Sequence, residues 1–528
     1  ARARISSFTP GPAAPPPPRA PAPPPGLGAR GIAARLGGSW LDGSAVERAL
    51  DRFERRTYER GELARRLRSD HVRWEADDSA LESCAALEDA RTMCVVSGQQ
   101  PGFLTGPLYT IHKIATTIAL ARAWSARFGR RFIPVFWIAS DDHDLAEMES
   151  CSTVLDDGSL RRFRLPLGSA HTSVSRLPLP AEARDRIDEF LTAARSTDAS
   201  PDLRNALSTR PGDRFVDLFA RIVTRLFPRT GLVLFEPRSF ADRTRPFLRR
   251  HLEDPGRMTS ALRAGADALR TRGRAAPLRD DISSCVFVVE QERRRRFDPH
   301  AQSLEAIDAI ADVDPSAITP DAALRPLMQS SLLPAPAFVG GPGELAYWLQ
   351  LQPAFEADDV PQPIFVPRLS ASLLEPKVRR AFEALGSDPL RALEPLPSTE
   401  PTPAAPAIES ASSRLLDAFE NFARALPTAT NVQRKLDDLR RVFPTSVTKL
   451  AELAAREADQ ESALARKRAA LLAAHLLPGG QLQERIVNAL PFAIRYGDDL
   501  FARIADRIDP LDPRHVFIDL VPSGASDD

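Results

Sequence analysis

Cysteine is scarce, at four residues in 528, and Cys84, Cys94, Cys151 and Cys285 stand far apart with no CxxC pair. That spacing argues against a zinc knuckle or a disulfide framework and fits reduced, mostly buried thiols in a cytosolic protein. Net charge is missing too, since Lys+Arg and Asp+Glu each total 70. No global positive field recommends the chain to nucleic acid or to an anionic membrane, and neither is expected as a partner. No apolar run approaches the ~18 residues of a membrane span. Lysine is rare against arginine, occurring only at Lys113, Lys377, Lys435, Lys449 and Lys467, so each one carries information. Neither a Walker A loop nor GxGxxG occurs, which removes the standard nucleotide-binding signatures.

What is present is a succession of short apolar runs, each ending in turn residues: "MCVVSG" (93–98), "FIPVFWIAS" (132–140), "GLVLFEP" (231–237), "APAFVGG" (335–341) and "PIFVPR" (363–368). Near-continuous apolar runs suit strands buried on both faces of a parallel sheet. Helical patterns lie between them, over 107–128 and 213–227. The alternation predicts an α/β fold with an open, doubly wound, Rossmann-like parallel sheet. Two insertions, near 151–211 and 270–320, interrupt it. The second contains "SCVFVVEQERRRRF", a predicted hairpin in which Arg293–Arg296 reads as a solvated end rather than a phosphate-binding patch. The first 30 residues, "ARARISSFTPGPAAPPPPRAPAPPPGLGAR", read as a disordered, partly polyproline II tail without the apolar core of a signal peptide. "EPLPSTEPTPAAPA" (394–407) is a proline-rich linker. It leads into helical stretches at 409–425 and 446–476, with breaks expected at Pro427 and Pro444. Partial heptads there suggest a coiled-coil-like arm. Domains are thus expected at 1–30 (tail), 31–393 (core), 394–477 (linker and arm) and 478–528 (a segment packing back on the core).

Four stretches carry the candidate chemistry. In "SGQQPGFLTGPLYTIHK" (97–113), Gly98 permits a sharp turn after a strand, and Gly106-Pro107 suits a helix start whose N–H groups favour an anion. Ser97, Gln99, Gln100, Thr105, Tyr109, His112 and Lys113 are its candidate contacts; a purely structural turn is the alternative. "ASDDHD" (139–144) follows a buried strand, where open α/β sheets bind ligands. Asp141, Asp142, His143 and Asp144 there could hold an ammonium, orient a base or bind Mg²⁺, or could simply cap a helix. In 324–351, Gly340, Gly341 and Gly343 follow a strand, with Glu344 and Tyr347 on the next helix and Arg325 and Gln329 before it. In "PRLSASLLEPKVRR" (367–380), Arg368 offers a carboxylate or phosphate contact, beside Ser370 and Lys377, with a helix surface as the alternative.

These stretches, together with "GGQLQERIVNALPFAIRYG" (479–497), resemble the bacillithiol biosynthesis cysteine-adding enzyme family over roughly residues 45–528. The resemblance rests on TGQQ-x-G-x-x-TGPLYTI-x-K, W-I-A-x-E-D-H-D, V-GGPGE-x-AY and P-R-x-S patterns. Ser97 stands where Thr is usual and Asp141 where Glu is usual. The resemblance implies a Rossmann-like core related to class I aminoacyl-tRNA synthetases, a coiled-coil dimerisation arm and a cytoplasmic homodimer making a low-molecular-weight thiol. It further implies a ligase that joins L-cysteine to the amine of glucosaminyl malate through an amide bond. ATP, with Mg²⁺ allowed, is the expected activator, and no structural metal is expected. On that reading His112, Lys113, Asp142, His143 and Asp144 are the catalytic set. The other residues named in the four stretches bind substrate or nucleotide, with "GPLYTIHK" and "RLSAS" as loose counterparts of the synthetase signature motifs. Two rivals remain: a cysteine ligase for another amino-sugar acceptor, and a silent nucleotide-binding scaffold of a thiol pathway.

Overall fold

The structure is a computed structural model, and it describes residues 40–168, 172–194, 199–291, 293–384 and 404–520. The expected proline-rich tail and most of the linker lie outside them. Five strands form one parallel sheet: β1 (Met93–Gln99), β2 (Phe132–Ile138), β3 (Val233–Phe235), β4 (Ala337–Gly340) and β5 (Ile364–Pro367), in the order β5-β4-β1-β2-β3. That is a doubly wound order, and the chain reverses its direction of travel between β1 and β4.

The reason these segments are strands lies in their two-sided burial. All seven residues of β2 are buried. Phe136 and Ile138 pack on one face with Ile111, Ile114 and Ile118 of helix α1 (Leu108–Phe128). Ile133, Val135 and Trp137 pack on the other, with Leu248, Leu262 and Phe240. Side chains alternate across a strand, so a continuous apolar run is what a double-faced core demands. Helix α1 ends at Gly129, whose φ of 60° is the left-handed cap glycine accepts cheaply. The four cysteines are all buried, and burial raises their thiols, Cys84 and Cys94 to about 12, which suits packing rather than reactivity.

The chain divides into two compact units: Ala1–Pro376 with Gln481–Asp528, and Lys377–Gly480. In the first unit the C-terminal segment returns to the core. Its strand His515–Asp519 pairs in parallel with Ser370–Leu374. The second insertion forms a hairpin, Val286–Glu290 with Arg293–Arg296, extended by Ile318–Pro320. In the second unit, helices Ala404–Arg424 and Thr430–Leu476 pack together through the stacked rings of Phe419 and Phe443, 4.5 Å apart, and an Arg440–Glu420 ion pair at 3.1 Å.

Two expectations need correcting. Pro444 does not end a helix: the 47-residue helix Thr430–Leu476 runs through it. Proline costs that helix a hydrogen bond and a local clash, but Arg440 and Phe443 contact the neighbouring helix within the turn before it, and Val447 is buried in the turn after it. The Arg293–Arg296 run is not simply solvated: its strand alternates, and Arg294 is buried. No helix among the described residues is long and apolar enough to cross a membrane.

Candidate active site

The carboxyl ends of all five sheet strands bring polar side chains or open backbone to one edge of the sheet. Gly98 and Gln99 come from β1, Ser140 to Asp142 follow β2, Glu236 follows β3, Gly341 follows β4 and Arg368 follows β5. Ligands of open α/β sheets bind at this edge, where the strand order reverses.

Lys113 stands at that reversal. Its Nζ donates to Gly98 O (2.8 Å) and Gln99 Oε1 (2.8 Å), and it lies 2.5 Å from Glu344 Oε2. Glu344 sits on helix α2 (Pro342–Gln350) and also accepts the Gly341 N–H (2.8 Å), which is the N3 half of a capping box. Burial pulls the Lys113 ammonium below the ordinary lysine value, and Glu344 opposes the shift. Gln99 donates to Tyr109 Oη at 3.3 Å. Tyr347, whose hydroxyl burial raises, lies by Glu344 and Arg325. A Cβ on Gly340 would come within 2.5 Å of the Phe365 ring, so that glycine serves packing, whereas one on Gly343 would meet nothing within 4 Å.

The turn before α1 is backbone-strained. Leu104 (φ 51°) and Thr105 (φ 79°) both lie in the left-handed region, and Gly106 (φ 66°) follows. Each such non-glycine residue costs on the order of 1–3 kcal/mol. The turn is clamped from far away: Asn488 Nδ2 donates to Leu104 O (2.6 Å) and Gly106 O (2.8 Å). Helix α1 begins at Leu108 with Pro107 as its cap, one residue later than expected. Its first N–H is already taken by Val487 O at 2.8 Å, which leaves the helix start less free for an anion than its sequence suggests. Ser97 Oγ, Thr105 Oγ1 and Gln329 Nε2 are buried without a hydrogen-bond partner among the described residues.

The acidic turn after β2 has distinct members. Asp142 accepts from Gln100 Nε2 (2.7 Å) and from the His143 N–H (2.7 Å). Burial would raise its carboxyl, but Arg294 and Gln100 outweigh that and hold it below the usual range. Asp141 is buried, and burial pushes it up to about 6 against the pull of Arg294 and Arg325. Asp144 is exposed. His143 Nδ1 lies 2.7 Å from Arg294 Nη1. A guanidinium only donates, so Nδ1 accepts and the neutral ring carries its proton on Nε2. Arg294 is itself fixed by Thr319 Oγ1 (2.9 Å) and Pro320 O (2.7 Å), with its guanidinium 3.9 Å from the Phe287 ring centre. Burial lowers it to about 10, opposed by Asp142 and Asp141.

Behind the turn, Ser140 Oγ donates to Glu236 Oε1, and Arg214 Nη1 lies 3.6 Å from Glu236 Oε2. Burial pushes Glu236 up to about 7 despite Arg214 and Ser140.

His112 turns to a different partner from Lys113: its Nδ1 meets Glu484 Oε2 at 3.2 Å, and it is 1% exposed. Glu484 is a hub: it accepts both Arg368 Nη1 (3.0 Å) and Nη2 (2.7 Å), Ser370 Oγ (3.3 Å) and the Ala371 N–H (3.0 Å). Burial would raise its carboxyl, but Arg368 and His112 hold it well below the ordinary value. Arg368 is therefore spent on an internal bidentate pair, with its guanidinium 5.8 Å from the Tyr109 ring centre. Lys377 belongs to the other compact unit. Among the described residues, no group of three or more His, Cys, Asp or Glu side chains is placed to hold a metal ion.

The chain matches a known group of proteins. The family described as "Bacillithiol biosynthesis BshC, N-terminal Rossmann-like domain" matches residues 39–369, and its "C-terminal coiled-coil domain" matches 423–520. The chain belongs to the bacillithiol biosynthesis BshC family. Relatives named "Putative cysteine ligase BshC" include one from Geobacillus kaustophilus, 32% identical over 88% of this chain and 91% of its own length. One from Salinibacter ruber is 30% identical over 88% and 89%, and one from Symbiobacterium thermophilum is 30% identical over 92% and 91%. Three of the side chains discussed above escaped the sequence reading. Arg294 was hidden in an arginine run, Glu236 in a strand end and Glu484 far from the glycine-rich turns.

Proposed function

We propose that the protein is a ligase that forms an amide bond between the carboxyl group of L-cysteine and the amine of glucosaminyl malate, in the cytoplasm and with ATP consumed. The observation that carries this reading is the placing of both the acidic turn and the Lys113–Glu344 pair at the carboxyl edge of one parallel sheet, in a BshC family chain.

Amide formation asks three things of the protein: a seat for the cysteine ammonium, a group to take the proton of the incoming amine, and donors for charge developing on the carboxyl oxygens. Asp142 is half-buried and held ionised, which suits an ammonium seat. Asp141, raised to about 6, is the base closest to neutral on this turn and suits the amine proton. His143 presents an N–H from Nε2 rather than a lone pair, so its role is donor. Arg325 and Lys113 supply positive charge beside the glycines after β4. The open backbone at Gly343 and these cations fit a nucleotide phosphate. When bound, ATP would supply activation of the cysteine carboxylate. Glu344 sets the position of Lys113, and Glu484 sets those of Arg368 and His112.

Incubation with ATP, L-cysteine and glucosaminyl malate, followed by mass analysis, tests the reading. The expected product is the cysteinyl amide. Amide formed with other amino sugars but not with glucosaminyl malate would reassign the acceptor, and no ATP-dependent product would remove the ligase reading.

A further inference from the structure

One face of the inserted hairpin meets the acidic turn. Its strands, Val286–Glu290 and Arg293–Arg296, pair antiparallel, with Phe287 opposite Arg296 and Val289 opposite Arg294. Cross-strand partners lie on the same side of a sheet, and side chains alternate along a strand, so Phe287, Arg294 and Arg296 share one face. Val286 and Val288 take the other face and join the apolar core with Cys285 and Phe297. Phe287 belongs to none of the apolar core clusters among the described residues and is only half-buried. Core packing therefore does not explain a phenylalanine on a face it shares with two arginines.

The ring is engaged instead with charge and with the site. The Arg294 guanidinium carbon lies 3.9 Å from the ring centre, and that of Arg296 lies 4.5 Å from it. The His143 ring is 5.8 Å away, centre to centre, and tilted by 52°. Arg294 is buried, and both its burial and the neighbouring Arg296 disfavour its charge. Arg296 is anchored by donating to Ser284 O and to Asp321 Oδ2 (3.0 Å), so it stays close. The negative face of an aromatic ring attracts such cations, more strongly where water is excluded. Phe287 thus offsets part of the cost of keeping Arg294 where it is. The N–H groups of that guanidinium meet Thr319 Oγ1 (2.9 Å), Pro320 O (2.7 Å) and His143 Nδ1 (2.7 Å). Hydrogen bonds set where the fork points, and the ring steadies the cation that makes them.

We propose that Phe287 is a positioning residue for His143: its ring holds the Arg294 guanidinium against Nδ1 and so keeps the imidazole in the tautomer that carries its N–H on Nε2. The inference rests on the donor role given to His143 under the ligase reading, but the tautomer is measurable with no substrate present.

Nitrogen NMR of the full chain, labelled with ¹⁵N only in histidine, reads the tautomer directly. The chain has eight histidines, and the His143 signals are those lost in His143→Gln. Phe287→Leu keeps an apolar side chain and removes the aromatic face, whereas Phe287→Tyr keeps that face. Circular dichroism checks the fold, and Phe287→Met takes the place of the leucine variant should that one not fold. The unmodified protein and Phe287→Tyr are expected to show His143 protonated on Nε2 alone. Phe287→Leu is expected to show a mixture of ring forms, with turnover lower by on the order of tenfold or more, the scale of a small misplacement in a reacting site. An unchanged His143 tautomer in Phe287→Leu overturns the proposal, whatever its turnover. A tyrosine variant that behaves like the leucine one overturns it too, since the aromatic face is then not what matters. A mixture of ring forms in Phe287→Leu with product formation unchanged would uphold the hold of Phe287 on His143 and remove the donor role from the ligase reading.

Discussion

Lys113 Nζ lies 2.5 Å from Glu344 Oε2, joining helix α1 to the helix after β4 across the point where the sheet reverses its strand order. The two residues belong to separate glycine-rich stretches, and neither charge is properly balanced without the other. Lys113→Met is expected to strand the Glu344 carboxylate and to destabilise the fold by about 3–5 kcal/mol, the usual cost of breaking a buried pair from one side. The double variant Lys113→Met/Glu344→Gln, which leaves no unpaired charge, is expected to recover most of that stability while turnover stays lost. Chemical denaturation and a coupled ATPase assay read the two effects separately. Equal stability of the single and double variants would mean that the pair is not coupled.

His143 and Arg294 give a prediction about chemistry rather than folding. The His143 side chain is 37% exposed, so His143→Ala should leave the melting temperature nearly unchanged. Turnover should fall on the order of a hundredfold or more if the Nε2–H of the neutral ring donates a hydrogen bond to charge developing in the reaction. Arg294→Met should act differently. Arg294 holds Asp142 ionised and opposes the rise of Asp141, so without it both carboxyls titrate at higher pH. The acidic limb of the pH–rate profile is expected to move upward in that variant. An unmoved limb would show that neither carboxyl controls the rate.

Much of this architecture was legible in the chain because a strand buried on both faces needs an unbroken apolar run, and "FIPVFWI" leaves few other readings. Its carboxyl end then placed the acidic turn. The same logic could have found Glu236, which follows "VLF" as Asp141 follows the β2 run, but a lone carboxylate before a proline also reads as a cap. Arg294 could have been found from strand alternation, since a two-sided hairpin sends every second residue inward. Glu484 offered no local signal. Its importance comes from four strangers in sequence, His112, Arg368, Ser370 and Ala371, meeting it in space. The helix through Pro444 was misjudged because proline's local cost is visible in sequence and the partner helix that offsets it is not.

Glu236 makes stability depend on pH in a definite direction. Its folded value is raised to about 7, above that of a carboxyl in the unfolded chain, so the folded state binds the extra proton. The stabilisation is complete below pH ~4.5 and is lost as pH rises through about 7. Glu236→Gln removes the titrating group. The variant is expected to gain on the unmodified protein between pH 5 and 8, by on the order of 1–3 kcal/mol at the upper end. Thermal melts of both proteins across that range would show a widening gap, whereas a constant gap would mean that Glu236 is ionised throughout.

The second compact unit yields the last prediction. Its two helices pack on each other, yet Leu450 and Leu453 remain 67% and 56% exposed, with Phe422 and Val442 at 60% and 62%. Leu450 and Leu453 are three residues apart and so share a helix face. Large apolar side chains left bare along a long helix are stabilised by burial against a partner, at roughly 1.5–3 kcal/mol for each one fully covered. A closed symmetric dimer is the commonest way a chain covers such a surface with itself. The expected state is a homodimer formed through this arm. Leu450→Glu with Leu453→Glu places two charges on the bare face without touching the core, so the folded content should be unchanged by circular dichroism. Sedimentation equilibrium should then report a monomer, or a dimer weakened at least a hundredfold. A dimer of unaltered strength would move the contact elsewhere on the chain.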